Sequence, residues 1–171
     1  TAASAYLQVS ECGSEYSAKP FVVALGKDPA FTLQTKTCDG AVVDKRKLIR
    51  RFFFVDPSEV LSYVDVTPAG MTAPVPIVEN IEQMQIEYAL DPDGDGSPNS
   101  FTPTPADWTQ AIGVRVWLLS RSANASANTK NASTFELSDT TVDVPAAGSN
   151  FKRRAYTTYI PFVTPKSRRE S

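Results

Sequence analysis

Residues 91–99 read Asp91-Pro92-Asp93-Gly94-Asp95-Gly96-Ser97-Pro98-Asn99, and the three carboxylates within five residues are the densest such cluster in the chain. Asp91, Asp93 and Asp95 take the first, third and fifth positions of a calcium loop. Gly96 falls where such a loop turns sharply, Ser97 offers a carbonyl, and Asn99 offers a direct or water-bridged ligand. Three carboxylates held together repel one another, and a hard divalent cation removes that cost. Oxygen-only donors suit calcium over zinc or copper. Two features depart from a full EF-hand loop: the twelfth position is Thr102 instead of Glu, and a strand pattern enters the loop where a helix would. Asp and Gly are also ordinary turn formers. The sequence therefore leaves two readings open, a calcium site on Asp91, Asp93, Asp95, Ser97 and Asn99, or a solvated turn. No motif requires a cofactor.

The remaining chemistry is sparse. The chain has no histidine, which excludes Ser-His-Asp and Cys-His catalysis and removes the commonest zinc ligand. A non-enzymatic protein is expected. Cys12 and Cys38 are the only cysteines. An isolated pair suits a disulfide in an oxidising compartment, and closing that loop stabilises by roughly 3–4 kcal/mol. The alternative is two unrelated buried thiols. Seventeen basic and nineteen acidic side chains nearly balance, so no global field draws the chain to nucleic acid. Lys45 to Arg51 form a local basic run ahead of Phe52-Phe53-Phe54. It fits an anionic partner or a charged turn that guards an apolar strand; the second reading is preferred, and no nucleic-acid partner is expected. No apolar run is long enough to span a bilayer.

Period-two alternation predicts the elements that carry these residues. Alternation gives strands at 31–37, 60–66, 84–90 and 112–119; the apolar run 21–25 reads as a strand or short buried segment, and 52–55 as a core strand after the basic run. Shorter ones are expected near 135–137 and 142–144, and a last one at 154–163. Pro161 marks that one as an edge strand or a strand end. Residues 2–9 could end a helix stopped by Gly13, or be a frayed terminus. Residues 77–84 hint at a helical turn, and Thr104-Pro105 could start a short helix that anchors Trp108 on the sheet. Ile86, Tyr88, Val114 and Val116 are expected in the core region, with Arg115, Trp117 and Leu119 on a mixed second face. The class is α+β, rich in antiparallel sheet with little helix, as a single domain over 1–171. An exposed flexible loop is expected at 121–133 and a frayed tail at 165–171.

Three stretches carry a resemblance. They are IVENIEQMQIEYALDPDGDG from Ile77, ADWTQAIGVRVWLLSRS from Ala106, and FKRRAYTTYIPF from Phe151. Together they resemble the soluble part of PilW-type minor pilins of bacterial type IV pilus assembly systems. The resemblance implies a pilin-like structural subunit in a complex that primes the filament at its tip. Its partners would be other minor pilins, the major pilin and a tip adhesin. It implies a periplasmic domain, anchored in the inner membrane and later displayed at the pilus tip. Membrane contact would run only through a processed apolar N-terminal helix, which this sequence lacks. The family's usual Arg-Asn ending is replaced here by Phe162-Val163-Thr164-Pro165. Pseudopilins of type II secretion share the architecture, and an adhesive or ligand-binding module on the pilus is the reading from another class.

Overall fold

The computed structural model describes residues 4–127, 133–144 and 150–162. The regular structure is mostly antiparallel sheet with minimal helix, the expected class, and the chain divides into two compact units. One is Thr1–Phe53 with Tyr63–Val75, and the other is Phe54–Ser62 with Pro76–Ser171.

In the first unit, β1 (Ala5–Val9), β2 (Phe21–Leu25) and β3 (Arg46–Lys47) form a sheet of order β2-β1-β3. Residues 5–9 are thus a strand and not a helix end: Tyr6 pairs with Ala24 and Gln8 with Val22. Ala5 and Leu7 have helical propensity, but ladder pairing with β2 and β3 overrides it. The only α-helix among the described residues, α1 (Gly13–Tyr16), is one turn long. The strand expected at 31–37 reduces to one bridge between Gln34 and Val42. The Thr35 N–H to Ala41 carbonyl and Val43 N–H to Leu33 carbonyl bonds flank that bridge, and polar side chains tie the segment down beyond it. Gln8 accepts a hydrogen bond from the Leu33 N–H and donates to the Val43 carbonyl. Cys12 and Cys38 are joined by a disulfide, Cα to Cα 5.1 Å, which settles the choice between a bridge and separate thiols.

Strands β4 (Arg51–Val55), β5 (Val60–Thr67), β6 (Gly70–Met71) and β7 (Val75–Glu79) make a further sheet, in order β4-β5-β6 with β7 also on β5. The helical turn suggested at 77–84 is absent. Those residues run from β7 into β8 (Ile81–Leu90) through Asn80, whose positive φ of 64° makes the corner. Asn tolerates that conformation better than most residues.

The largest sheet of the second unit has order β13-β10-β8-β9. It joins β13 (Arg153–Pro161), β10 (Ala111–Arg121), β8 and β9 (Ser100–Thr102). Strand β9 directly follows the acidic residues 91–99. A hairpin of β11 (Ser133–Leu137) and β12 (Thr140–Val144) contacts β10 through β11. The helix expected from Thr104 is a single 3-10 turn, Trp108–Gln110, capped by Asp107. Asp107 wins the cap because its carboxylate accepts from both the Thr109 N–H and hydroxyl. Trp108 does reach the sheet, edge-on to Tyr88 at 4.6 Å. Arg121 ends β10 and Ser133 opens β11, while 128–132 of the stretch between them and the tail at 165–171 lie outside the described residues.

The two faces of this sheet are not equivalent. Register pairs Val114 with Tyr88 and Ile160, Val116 with Ile86 and Thr158, and Leu118 with Met84 and Tyr156. This apolar face, expected to be core, is only half-buried, and Tyr156 and Ile160 on it are exposed. The mixed face holds the buried residues: Ala89, Leu119 and Glu87. Alternation shows which side chains share a face. It does not show which face the rest of the chain covers, and here the β11–β12 hairpin, with Leu137 fully buried, reaches β10.

Candidate functional site

The acidic loop joins β8 to β9. Asp91 closes β8, 4% exposed, and its two carboxylate oxygens accept from the Gly94 and Gly96 N–H groups at 2.8 and 2.9 Å. Both glycines have positive φ, 77° and 86°, which lets the backbone curl around the carboxylate. Asp93 accepts from the Asn99 side-chain amide at 3.0 Å, and Asp95 from the Ser97 N–H at 2.7 Å. The Asn99 amide, then Asp91, hold the Asp93 carboxyl below its ordinary range.

Each of Asp91, Asp93 and Asp95 offers one carboxylate oxygen, and these lie within 4.8 Å of one another. That spacing suits a single cation. The other two residues of the predicted set take different parts. Ser97 joins through its N–H, and Asn99 through its side-chain amide. The loop thus closes on its own donors.

A second polar cluster was not anticipated. On the mixed face of the sheet, one oxygen of Glu87 accepts from both the Arg115 guanidinium and the Trp117 indole N–H, each at 2.8 Å. Arg115 stacks over Phe101 of β9 at 3.5 Å, and Phe101 meets Tyr159 edge-on. Burial raises the Glu87 carboxyl, but the Trp117 hydrogen bond and the Arg115 charge outweigh it, and the group titrates below its ordinary value. The signal was present: Glu87 and Arg115 sit at matching positions of two adjacent strand patterns. The pairing register was the missing piece. A further network joins Arg153 to both oxygens of Glu82 at 2.6 and 2.7 Å, and Arg121 to Glu59.

The ends of the basic run are used internally. Lys45 bonds the Gly26 carbonyl and lies over Tyr6 and Phe31, and Arg51 pairs with Asp65 at 2.7 Å and stacks on Tyr63. Arg46, Lys47 and Arg50 between them are exposed. No helix among the described residues is long and apolar enough to cross a membrane.

The arrangement as a whole is a polar-locked sheet with one apolar face left half open. Against known families, the model described as Type IV Pilus-assembly protein W matches residues 41–163. The chain belongs to the PilW family. Comparison with curated proteins and with solved structures finds no match. The matched region takes in the acidic loop, the Glu87 cluster and β13. This PilW-family membership agrees with a role in type IV pilus assembly.

Proposed function

We propose that this domain is a minor pilin, a non-enzymatic structural subunit that packs beside other pilin-like subunits and helps prime the filament at its tip. The observation that carries this reading is the apolar sheet face. Met84, Ile86, Tyr88, Val114, Val116 and Leu118 are all partly solvent-exposed, and Tyr156 is 51% and Ile160 50% exposed beside them. A contiguous apolar face rimmed by polar residues marks an interaction surface. An apolar N-terminal helix, of the kind the family resemblance implies, would cover part of it and anchor the protein in the inner membrane, with this domain in the periplasm. The major pilin, other minor pilins and a tip adhesin would be the partners.

A cation in the acidic loop would be calcium, since every donor there is an oxygen. Because the loop closes on its own N–H groups, assembly would not depend on it.

Deleting the gene and counting pili tests the assembly role. Loss of piliation, restored by the wild-type gene, is the expected result. Normal pili with lost adhesion would instead favour a binding module displayed on the filament.

A further inference from the structure

Strand β13 is an edge of the largest sheet of the second unit. On one side it pairs with β10 without a register shift from Arg153 to Pro161. Beyond the ends of that ladder, the Phe162 N–H bonds the Ile112 carbonyl, and the Lys152 carbonyl accepts from the Ser122 N–H. Even-numbered residues of this stretch therefore turn their backbone groups toward β10. By the alternation of an antiparallel pair, Ala155, Thr157 and Tyr159 turn theirs outward. Among the described residues no strand lies on that side.

Unpaired edges invite another chain, and folded proteins usually blunt them with short strands, bulges, lysines or prolines. The opposite edge of this sheet follows that rule, since β9 has three residues. Strand β13 has nine, with no bulge against β10 and a proline only at its last position. Its side chains are equally open: Tyr156, Ile160 and Phe162 are 51%, 50% and 43% exposed. Lys152 and Arg154 make the beginning of the strand basic and exposed.

From this geometry we infer that β13 is a docking edge that takes an added β-strand from another pilin-like subunit. Main-chain donors and acceptors at Ala155, Thr157 and Tyr159 supply the bonds, and apolar side chains of the incoming strand lie against Tyr156 and Ile160. An acidic residue opposite Arg154 sets its direction. A second copy of this chain fits less well, because antiparallel self-pairing about Thr157 sets Arg154 opposite Ile160 and leaves the basic end without a counter-charge. The identity of the partner rests on the minor-pilin reading; the open edge does not.

The test uses the full-length protein co-expressed with the other pilin-like subunits of its assembly system. In the purified complex, the amides of Ala155, Thr157 and Tyr159 should exchange at least about tenfold more slowly than in the free protein. Thr157→Pro removes one outward N–H and blocks the approach, while β10 loses no ladder bond. That variant should keep the wild-type circular dichroism and lose complex formation by about tenfold or more. If it fails to fold, amide exchange on the wild-type complex decides alone. A complex whose three amides stay open, or one that a folded Thr157→Pro enters normally, overturns strand addition but leaves the minor-pilin reading standing. No complex with any pilin-like subunit overturns both. Protection of the same amides in a concentration-dependent dimer assigns the edge to a second copy and overturns the partner proposed here.

Discussion

The two compact units hold themselves together by different means. In the first, the buried apolar side chains among the described residues are Cys12, Val22, Leu33 and Val64. Around them sit buried Gln8 and Ser10, and Glu15 bonds Ser10, the Gln34 N–H and the Gln34 side chain. A disulfide closes this unit. The second has Leu61, Ile81, Ala89, Leu119, Leu137 and Val144, a long antiparallel ladder, and the Glu87 cluster on its buried face. Little apolar burial favours a covalent staple. A long ladder with a satisfied, partly buried ion pair can do without one. Function, on the present reading, draws on what the second unit leaves open: an apolar face and a strand edge.

Removing the polar lock should have the largest effect. Glu87→Ala leaves the Arg115 charge and the Trp117 N–H without their acceptor, and two hydrogen bonds to a charged group at about 1.5–3 kcal/mol each put the cost at about 3–5 kcal/mol. Chemical denaturation should show that loss, with exchange rising along β8 and β10 while β1 and β2 keep their protection. Equal loosening of all four strands would mean that the units do not hold themselves independently. Cleaving the staple is the reciprocal experiment. Cys12→Ser with Cys38→Ser should cost roughly 3–4 kcal/mol, confined to β1–β3. Intact mass should differ by two protons on reduction of the wild type. Unchanged exchange in β1 after reduction would count against the staple as the main support of that unit.

Acid should loosen both units, through different carboxylates. Glu15 is held below its ordinary range first by the Gln34 backbone N–H and then by Ser10 and the Gln34 side chain; Glu87 is held there by Trp117 and Arg115 against burial. A carboxyl depressed in the folded state stabilises fully above its unfolded pKa of about 4.3, and that contribution is lost as pH falls through the lower folded value. Stability should therefore be flat above about pH 5 and decline below it. The Glu87→Gln variant should decline less steeply than wild type. An identical slope would remove Glu87 from the account.

Packing in the second unit offers a finer test. Gly113 lies beneath Tyr159: a Cβ there would come within 2.6 Å of the Tyr159 ring and 2.8 Å of the Ile160 carbonyl oxygen. Gly113→Ala should destabilise by about 1–3 kcal/mol. Adding Tyr159→Ala should relieve only the ring contact, since the carbonyl belongs to the ladder. Full rescue by the double variant, read as thermal stability, would show that the backbone there yields.

Strands with clean alternation were legible from sequence alone: 60–66, 84–90, 112–119 and 154–163 all fall within or overlap β5, β8, β10 and β13. So was the Cys12–Cys38 pair. What failed depended on register or coverage. Ala5–Val9 carries little pattern of its own and becomes a strand through its partners. Strand β9 is three residues long and has no period to detect. The Glu87 cluster needs Arg115 placed directly opposite, which only the pairing of β8 with β10 supplies. The buried face is not legible from alternation, because hydrophobicity alone does not show burial. In this sheet the more apolar face is the more exposed one, as expected of a surface that meets something else.

The smallest effect tests the acidic loop. Its carboxylates already accept from Gly94, Gly96, Asn99 and Ser97, so the turn stands without a metal. A cation would add only its bonds to those same carboxylate oxygens, beside the N–H groups that already hold them. With the weak affinity of extracellular calcium modules, about 10⁻⁴–10⁻³ M, a few millimolar calcium should raise the melting temperature by about 2–4 °C, and EDTA should reverse the rise. Asp93→Ala with Asp95→Ala should abolish the response while leaving the Asp91 bonds that close the loop. The response belongs to the second unit, so exchange should slow near β8 and β9 and stay unchanged in β1 and β2. Magnesium should give a smaller shift, because it demands a tighter octahedral shell than this loop offers. No shift with calcium, and no heat on titration, would leave residues 91–99 as a turn whose only work is to connect two strands.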